Sequence, residues 1–112
     1  MKKLEIIIKP ERLEELKAIL HDCGASGIMI SNIMGYGNQK GIVAQYRGTQ
    51  YMVNLLPKMC VSTVTDDQKA EFIITEVCKN LAKGEVGDGK IFVYDVADAI
   101  RIRTGERGPK AL

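Results

Sequence analysis

The segment between residues 84 and 90 has the composition of an anion-binding turn. It reads Gly84-Glu85-Val86-Gly87-Asp88-Gly89-Lys90. Because glycine has no side chain, the backbone of such a turn can approach a ligand closely, and successive N–H groups can bind an anion. Lys90 would add a positive charge for a phosphate group. The spacing is not that of a Walker motif, so a tight turn that merely ends a helix is the alternative interpretation.

Two arginines near the C-terminus could bind the same kind of ligand. Arg101 and Arg103 are separated by one residue. A short strand, expected at residues 100–103, would place both guanidinium groups on one side. Paired guanidinium groups suit a polyphosphate because each donates several hydrogen bonds to its oxygens. The alternative is a solvated edge of the molecule.

A glycine-rich stretch at residues 35–50 shows no apolar periodicity. It contains Gln39 and Lys40 near its start, and Tyr46 and Tyr51 follow further along. Loops of this length are uncommon in small domains and usually functional. Exposed tyrosines on a loop suit a partner surface or a modification site. Together the three features predict an anion-binding site beside a partner-binding loop.

Two βαβ patterns must position these segments, and the first lies in the N-terminal half. Residues 3–9 and 26–34 are apolar runs that predict strands. The helix between them begins at Pro10, whose missing N–H is harmless in a first turn, and ends at Gly24. This half therefore predicts a strand, a helix and a strand ahead of the glycine-rich stretch.

The second pattern follows the glycine-rich stretch. Residues 51–65 predict a strand with an edge position or bulge near Pro57, and residues 90–96 alternate as another strand. Between them, Thr65 and Gln68 have the spacing of a capping box at the start of a helix. The expected apolar face of that helix comprises Ala70, Ile74, Val77, Cys78 and Leu81.

The order of elements predicts an α+β fold, the ferredoxin-like βαββαβ sandwich. Four antiparallel strands would form one sheet, with both helices on one face and the long loop between the second and third strands. Ile6, Ile8, Phe92 and Tyr94 fall on alternating strand positions, so both faces of the sheet carry apolar residues. An apolar open face must be covered, which favours a homo-oligomer.

Length and composition limit the possible classes of protein. The chain has 112 residues, enough for one domain, and a hydrophobic fraction of 46% with a charged fraction of 27% excludes disorder and a coiled coil. A net charge of +2 is small for a nucleic-acid-binding domain, and no apolar run is long enough to span a membrane. The N-terminus lacks a signal-peptide pattern, so we expect a cytoplasmic protein.

The cysteines and the histidine do not suggest a metal site or a catalytic centre. Cys23, Cys60 and Cys78 are odd in number and widely spaced, which fits neither a disulfide framework nor a zinc site. Cys23 and Cys78 lie within helical patterns and are expected to be buried. His21 is expected at the surface near a helix end.

Five segments carry a resemblance to a known family. They are Gly35-Tyr36-Gly37-Asn38-Gln39-Lys40-Gly41, Tyr46-Arg47-Gly48-Thr49-Gln50-Tyr51, Leu56-Pro57-Lys58, Gly87-Asp88-Gly89-Lys90-Ile91-Phe92-Val93 and Ala99-Ile100-Arg101-Ile102-Arg103-Thr104-Gly105-Glu106-Arg107-Gly108. With these segments the whole chain resembles the PII family of nitrogen-regulatory signal-transduction proteins. The last two are highly specific, and their spacing to the chain end is that of the family.

The resemblance implies a homotrimer with ATP or ADP in the clefts between subunits. A single domain, residues 1–112, would carry a partner-binding loop at about 36–54, a phosphate-binding loop at about 82–90 and a basic segment at about 101–112. The nucleotide-binding residues that the family implies are Gly35, Gly37, Val64, Gly87, Asp88, Gly89, Lys90, Arg101 and Arg103.

The resemblance also implies 2-oxoglutarate as an effector. Gln39, Lys40, Gly41 and Lys58 would bind it, and Gln39 would help to ligate an Mg²⁺ ion that also contacts the ATP phosphates. An ion shared by two ligands couples their binding, because each ligand supplies oxygens to it. The protein would then be a sensor of ATP/ADP and 2-oxoglutarate, and not an enzyme.

The targets implied by the resemblance are an ammonium channel of the Amt type, and glutamine synthetase or its regulators, bound through the long loop. Binding to a channel would recruit the protein to a membrane without inserting it. Tyr51 stands at the family's position for uridylylation, whereas Thr49 and Gln50 before it depart from the family's pattern.

Three further departures leave a second function open. Asn38 stands where many members have arginine, Ser62 where an acidic residue is common and Met29 where a hydroxyl residue is common. An adenylate-only variant that ignores 2-oxoglutarate is therefore the alternative. A nucleotide-processing enzyme is disfavoured because no Ser/His/Asp set or paired carboxylates occur, and an RNA-binding module because aromatic residues are few.

Overall fold

A computed structural model describes residues 1–36, 42–46, 49–53 and 55–112, with the backbone alone described in 42–46 and 49–53. The elements are β1 (Lys2–Ile8), a 3-10 turn (Pro10–Arg12), α1 (Leu13–Asp22), β2 (Met29–Gly35), β3 (Ile42–Tyr46), β4 (Thr49–Val53), β5 (Leu56–Thr65), α2 (Asp67–Leu81), β6 (Lys90–Asp95) and a second 3-10 turn (Gly108–Ala111). No helix in these ranges is both long and apolar enough to cross a membrane.

The main sheet has the strand order β2-β5-β1-β6, and every neighbouring pair is antiparallel. Ile6 of β1, for example, lies between Val61 of β5 and Ile91 of β6. The α+β class, the four antiparallel strands and the two helices confirm the prediction from the sequence. This architecture is consistent with a ferredoxin-like fold.

The core lies between this sheet and the two helices. Alternate residues of β1, namely Leu4, Ile6 and Ile8, are buried against the helices, and each full burial contributes about 1.5–3 kcal/mol. Phe92 and Tyr94 belong to the opposite face, where each is 47% exposed. Both faces of the sheet therefore carry apolar residues, as the alternation predicts.

The buried face of α2 differs from the predicted one at two positions. Ala70, Val77 and Leu81 are buried as expected, and Ile73 is fully buried instead of Cys78, which is exposed. At about 100° per residue, Cys78 lies about 80° around the helix from Ala70, beyond the stripe that faces the sheet. The expectation that Cys78 is buried is wrong, whereas Cys23 is buried and His21 is exposed as expected.

The predicted long loop contains a β-hairpin. β3 and β4 pair as an antiparallel ribbon, with Ala44 opposite Tyr51. The single strand expected at residues 51–65 is therefore wrong and divides into β4 and β5. A two-stranded ribbon is held by backbone hydrogen bonds and needs no apolar period, so the sequence pattern did not indicate it.

Pro57 occupies an edge-like position, as predicted, although β5 is a central strand. It pairs with Met34 of β2, while the pairing of β5 with β1 reaches only to Met59, which lies opposite Ile8. At Pro57 the strand therefore has one neighbour, which agrees with the inability of proline to donate a hydrogen bond.

The helix α2 begins one residue later than the capping-box spacing predicts. Asp66 is the N-cap, and its carboxylate accepts the N–H of Lys69 at 2.8 Å. Thr65 is instead the last residue of β5, where it pairs with Lys2. Pairing in the sheet thus decides between two adjacent residues that could each cap the helix.

Asp66→Ala is expected to lower the free energy of unfolding by about 1 kcal/mol, because the Lys69 N–H loses its acceptor. Urea unfolding measures the change. Gln68→Ala removes the other member of the predicted capping box and should change stability by less than about 0.5 kcal/mol. Equal losses in the two variants would contradict the assignment of Asp66 as the N-cap.

Candidate functional site

The turn between α2 and β6 is organised by the Asp88 carboxylate. Its Oδ2 accepts the N–H groups of Lys83, Gly84 and Glu85 at 3.0, 3.0 and 3.2 Å. These hydrogen bonds, with that from Lys83 foremost, hold the pKa of Asp88 below its ordinary value. The carboxylate therefore stabilises the backbone conformation of its own turn.

The glycines of this turn have backbone conformations that other residues rarely adopt. φ is +75° at Gly84, +96° at Gly87 and +114° at Gly89. Gly89 also packs against β1, where an added Cβ would overlap the carbonyl oxygen of Ile7. Lys90 follows as the exposed first residue of β6. Closely packed glycine backbone next to an exposed ammonium group suits a phosphate ligand.

Gly35 and Lys58 lie at the same end of the sheet as this turn. β2 ends at Gly35, and Lys58 is near the start of β5, whereas Lys90 starts β6. Because neighbouring strands are antiparallel, these positions share one sheet end. A Cβ on Gly35 would lie 3.1 Å from Cγ of Lys58, so glycine leaves room for the lysine stem.

Val64 lies at the opposite end of the sheet. It pairs with Lys3 and is six residues beyond Lys58, which is about 20 Å along a strand. Ser62 and Met29 are direct partners on β5 and β2 near this second end, and Ser62 is buried while Met29 is 58% exposed. The fold of the chain therefore does not bring Val64 to the glycine turn.

The C-terminal segment also leaves the sheet at this second end. The N–H of Val96, just after β6, donates to the Met1 carbonyl at 3.1 Å. The strand expected at residues 100–103 is wrong, since the segment has turns there and a single bridge between Ile100 and Arg107. Its backbone is satisfied locally, because the N–H of Gly105 donates to the carbonyl of Arg101 at 2.7 Å.

The two arginines of this segment do not form a strand-like clamp. Nη2 of Arg101 donates to the Leu112 carbonyl at 3.1 Å, and its Nη1 lies 3.9 Å from the Glu106 carboxylate. Arg103 is exposed in the adjoining turn. The described contacts of the chain place neither arginine beside the glycine turn.

The family of the chain follows from comparison with known proteins. The family described as nitrogen regulatory protein P-II matches residues 1–106. The chain belongs to this family. It is 47% identical to nitrogen regulatory protein P-II of Rhodospirillum rubrum and 41% identical to nitrogen regulatory protein P-II 1 of Escherichia coli, with all of each chain covered. It is also 41% identical to nitrogen regulatory protein P-II 2 of Methanothermobacter thermautotrophicus, covering 100% of this chain and 97% of that one.

Membership of the P-II family confirms the resemblance inferred from the sequence motifs. P-II proteins are regulatory signal proteins and not enzymes. Within the described ranges, no group of three or more His, Cys, Asp or Glu side chains is placed to hold a metal ion.

Several predicted site residues of this P-II chain fall outside the described residues. They are Gly37, Gln39, Lys40 and Gly41. The backbone of Tyr51 lies in β4, while its side chain is not among those described. The predicted roles of these five residues remain predictions, and Lys58 is the 2-oxoglutarate candidate with a described position.

The structure assigns roles to two charged residues that motif reasoning did not give. Asp88 holds its own turn, and its position three to five residues after Lys83, Gly84 and Glu85 is a spacing typical of side-chain-to-backbone bonding. Arg12 lies 3.9 Å from Asp88, although it is far away in sequence. No local pattern could have indicated that contact.

Asp98 fastens the C-terminal segment, and its pairing predicts acid sensitivity. It accepts the N–H groups of Ala99 and Gly108 at 2.8 and 3.1 Å and pairs with Arg107 at 2.8 Å. The hydrogen bond from Arg107 is the first cause that lowers the pKa of Asp98. A lowered folded-state pKa gives stability above the unfolded value of 3.8, and this stability is lost as pH falls through the folded value.

Asp98→Asn should therefore be less stable than the unmodified chain at about pH 6, and the difference should shrink towards zero at about pH 2. Urea unfolding at both pH values tests this expectation. Asp22→Asn, on the exposed last turn of α1, is the matched charge control. A stability difference for Asp98→Asn that is the same at both pH values would contradict it.

Proposed function

We propose that this P-II chain is a sensor that binds ATP or ADP together with 2-oxoglutarate and controls nitrogen-metabolism targets through residues 36–54. The observation that carries the proposal is the placement of Gly35, Lys58 and the turn 82–90 at the same end of the sheet. The partner loop departs from that same end, directly after β2. Ligand binding and loop conformation would therefore be coupled through adjacent residues.

The nucleotide phosphates would bind at the glycine turn. Gly89 would supply closely packed backbone, Gly87 backbone with positive φ and Lys90 a point charge. The family resemblance implies Gly35 and Gly37 on the other wall. Asp88 is the exception among the predicted ligands, because its Oδ2 already accepts three N–H groups of the turn.

The remaining nucleotide-binding candidates support a site shared between subunits. Val64 lies about 20 Å along β5 from Lys58. The segment with Arg101 and Arg103 leaves the sheet at the same end at which Val64 lies. A second copy could bring that end against the glycine turn of the first. We therefore propose a homotrimer with a nucleotide in each cleft between subunits, which would also cover the open face with Phe92.

2-Oxoglutarate would bind next to the phosphates. Lys58 would pair with one of its carboxylates, while Gln39, Lys40 and Gly41 would contact the rest of the molecule. Bound Mg²⁺ would supply the bridge between ATP and the keto acid, with Gln39 as its protein ligand. The ammonium group of Lys58 would hold the keto acid next to the nucleotide phosphates.

The proposed partners are an ammonium channel of the Amt type, and glutamine synthetase or its regulators. The hairpin of β3 and β4 gives the loop a shape that a partner could recognise. The protein would act in the cytoplasm and be drawn to the membrane only by the channel. Tyr51, on β4, is a candidate for uridylylation.

An adenylate-only variant is the second candidate function. Met29 and Ser62 are opposite each other on β2 and β5, near the end where the adenine would lie, and both depart from the family's usual residues. Altered contacts there would change nucleotide binding. The keto-acid response decides between the two candidates.

Calorimetric titration of the purified chain tests the proposal. Mg-ATP is added first, and 2-oxoglutarate is then titrated with and without ATP present. Binding of the keto acid only with ATP supports the coupled sensor, because both ligands share the ion. Nucleotide binding without a keto-acid response supports the variant, and no binding of either ligand contradicts both.

Gln39→Ala is expected to abolish the ATP-dependent binding of 2-oxoglutarate while the chain still binds ATP, because the ion loses its protein ligand. The same calorimetric titration measures this. Gln45→Ala, elsewhere in the loop, is the matched control. A keto-acid affinity that is unchanged in Gln39→Ala would contradict the proposed role of Gln39.

A further inference from the structure

Arg12 connects three parts of the chain around the glycine turn. Its Nε donates to the Glu15 carboxylate at 3.0 Å, and its Nη2 donates to the Leu81 carbonyl at the end of α2. Its Nη1 lies 3.9 Å from Oδ1 of Asp88. The side chain is only 11% exposed, so this arrangement is fixed by packing as well as by charge.

The contacts of Arg12 and Asp88 together close the turn at both ends. Arg12 holds Leu81, the last residue of α2, and Asp88, the residue before Gly89. The other oxygen of Asp88 holds the N–H groups between those two points, from Lys83 to Glu85. The turn is thus fixed by one cation outside it and one carboxylate inside it.

The position of Arg12 also reduces the electrostatic repulsion that an anion would meet at this turn. The turn follows the C-terminal end of α2, where unpaired carbonyl groups make the helix end negative. The carboxylate of Asp88 adds a further negative charge. Both would repel a phosphate, and a mostly buried guanidinium group in contact with both offsets that repulsion.

We infer that Arg12 and Asp88 are positioning residues of the phosphate-binding turn. Neither of them contacts the nucleotide. Arg12 neutralises the end of α2 and the Asp88 carboxylate, and Asp88 orders the backbone that presents Gly89 and Lys90. The ligand class is a nucleoside di- or triphosphate, so this inference rests on the proposed function. It changes the role of Asp88 from a ligand to a support.

The test compares nucleotides that differ in phosphate number. Arg12→Met is titrated with AMP, ADP and ATP, and we expect the affinity for ATP to fall about tenfold while that for AMP falls less than about twofold, because repulsion grows with ligand charge. Lys17→Met removes the same charge from α1, where Lys17 pairs only with Glu14 among the described contacts, and should leave all three affinities unchanged.

A second measurement needs no nucleotide. Amide hydrogen exchange at Lys83, Gly84 and Glu85 should become faster in Arg12→Met and stay unchanged in Lys17→Met. Arg12→Lys keeps the charge but cannot make the three-way contact, so it should restore part of the ATP affinity; it also serves if Arg12→Met does not fold.

The outcomes separate this inference from the proposed function. Equal losses of affinity for AMP, ADP and ATP in Arg12→Met would mean a merely structural role and overturn the inference. Unchanged amide exchange in that variant would also overturn it, whatever the nucleotides do. If the unmodified chain binds none of the three nucleotides, the proposed function fails, and the role assigned to Arg12 in phosphate binding fails with it.

Discussion

Gly89→Ala is expected to destabilise the fold by about 3 kcal/mol or more. A Cβ at this position would overlap the Ile7 carbonyl oxygen, which belongs to the central strand β1. φ is +114° there, a conformation that alanine rarely adopts. Neither the strand nor the turn can move without breaking the pairing of Ile7 with Lys90. Urea unfolding measures the loss.

Gly84→Ala is the matched control for this prediction. φ is +75° at Gly84, and nothing lies within 4 Å of an added Cβ. Its cost should therefore be the conformational one alone, about 1 kcal/mol. The difference between the two variants isolates the close approach of Gly89 to β1. An equal loss in the free energy of unfolding for both variants would contradict the close packing of Gly89 against the Ile7 carbonyl group.

The elements with strong apolar periodicity could be predicted from the sequence almost to the residue. The run at residues 3–9 corresponds to β1, Lys2–Ile8, because alternate residues of it fill the core. The prediction for α2 was correct as to its existence but not as to its exact face, since a stripe of 3.6 residues per turn can be drawn through Ile73 or through Cys78. Only the position of the sheet decides between them.

Features that depend on local backbone bonding were less predictable. The hairpin of β3 and β4 and the turns around Arg101 are held by main-chain hydrogen bonds, which leave little trace in residue type. The strand expected at residues 100–103 was wrong for that reason. Gly105 and Gly108, both with positive φ, are the signals that favoured turns there.

The composition of the candidate site was predictable, and its arrangement was not. Motifs indicated the glycine turn and Lys58 as anion-binding elements, but their shared position at one sheet end follows from the antiparallel strand order. The contact of Arg12 with Asp88 joins residues 76 positions apart, and only the packing of α1 beside α2 brings them together. Long-range charge pairs of this kind have no spacing rule.

Lys58→Met is expected to weaken the binding of 2-oxoglutarate by tenfold or more in the presence of Mg-ATP. The reason is the loss of a charge-assisted hydrogen bond to a carboxylate, which contributes about 1.5–3 kcal/mol. Lys58 is well placed for such a bond, because its Cγ lies against Gly35 at the sheet end that also holds the glycine turn. Calorimetric titration measures the affinity, and that for ATP alone should change by less than about threefold.

Lys17→Met separates a local effect of Lys58 from a change in net charge. Lys17 lies on α1, where its ammonium group pairs with Glu14, so its replacement alters the same overall charge without touching the sheet end. Lys58→Arg keeps the charge on a planar, bulkier group, and steric conflict beside Gly35 should leave it with an affinity between those of Lys58→Met and the unmodified chain. An unchanged keto-acid affinity in Lys58→Met would mean that another cation contacts the carboxylate. Lys90 would then be the next residue to replace, because β6 starts at it and the strand order brings that start to this end of the sheet.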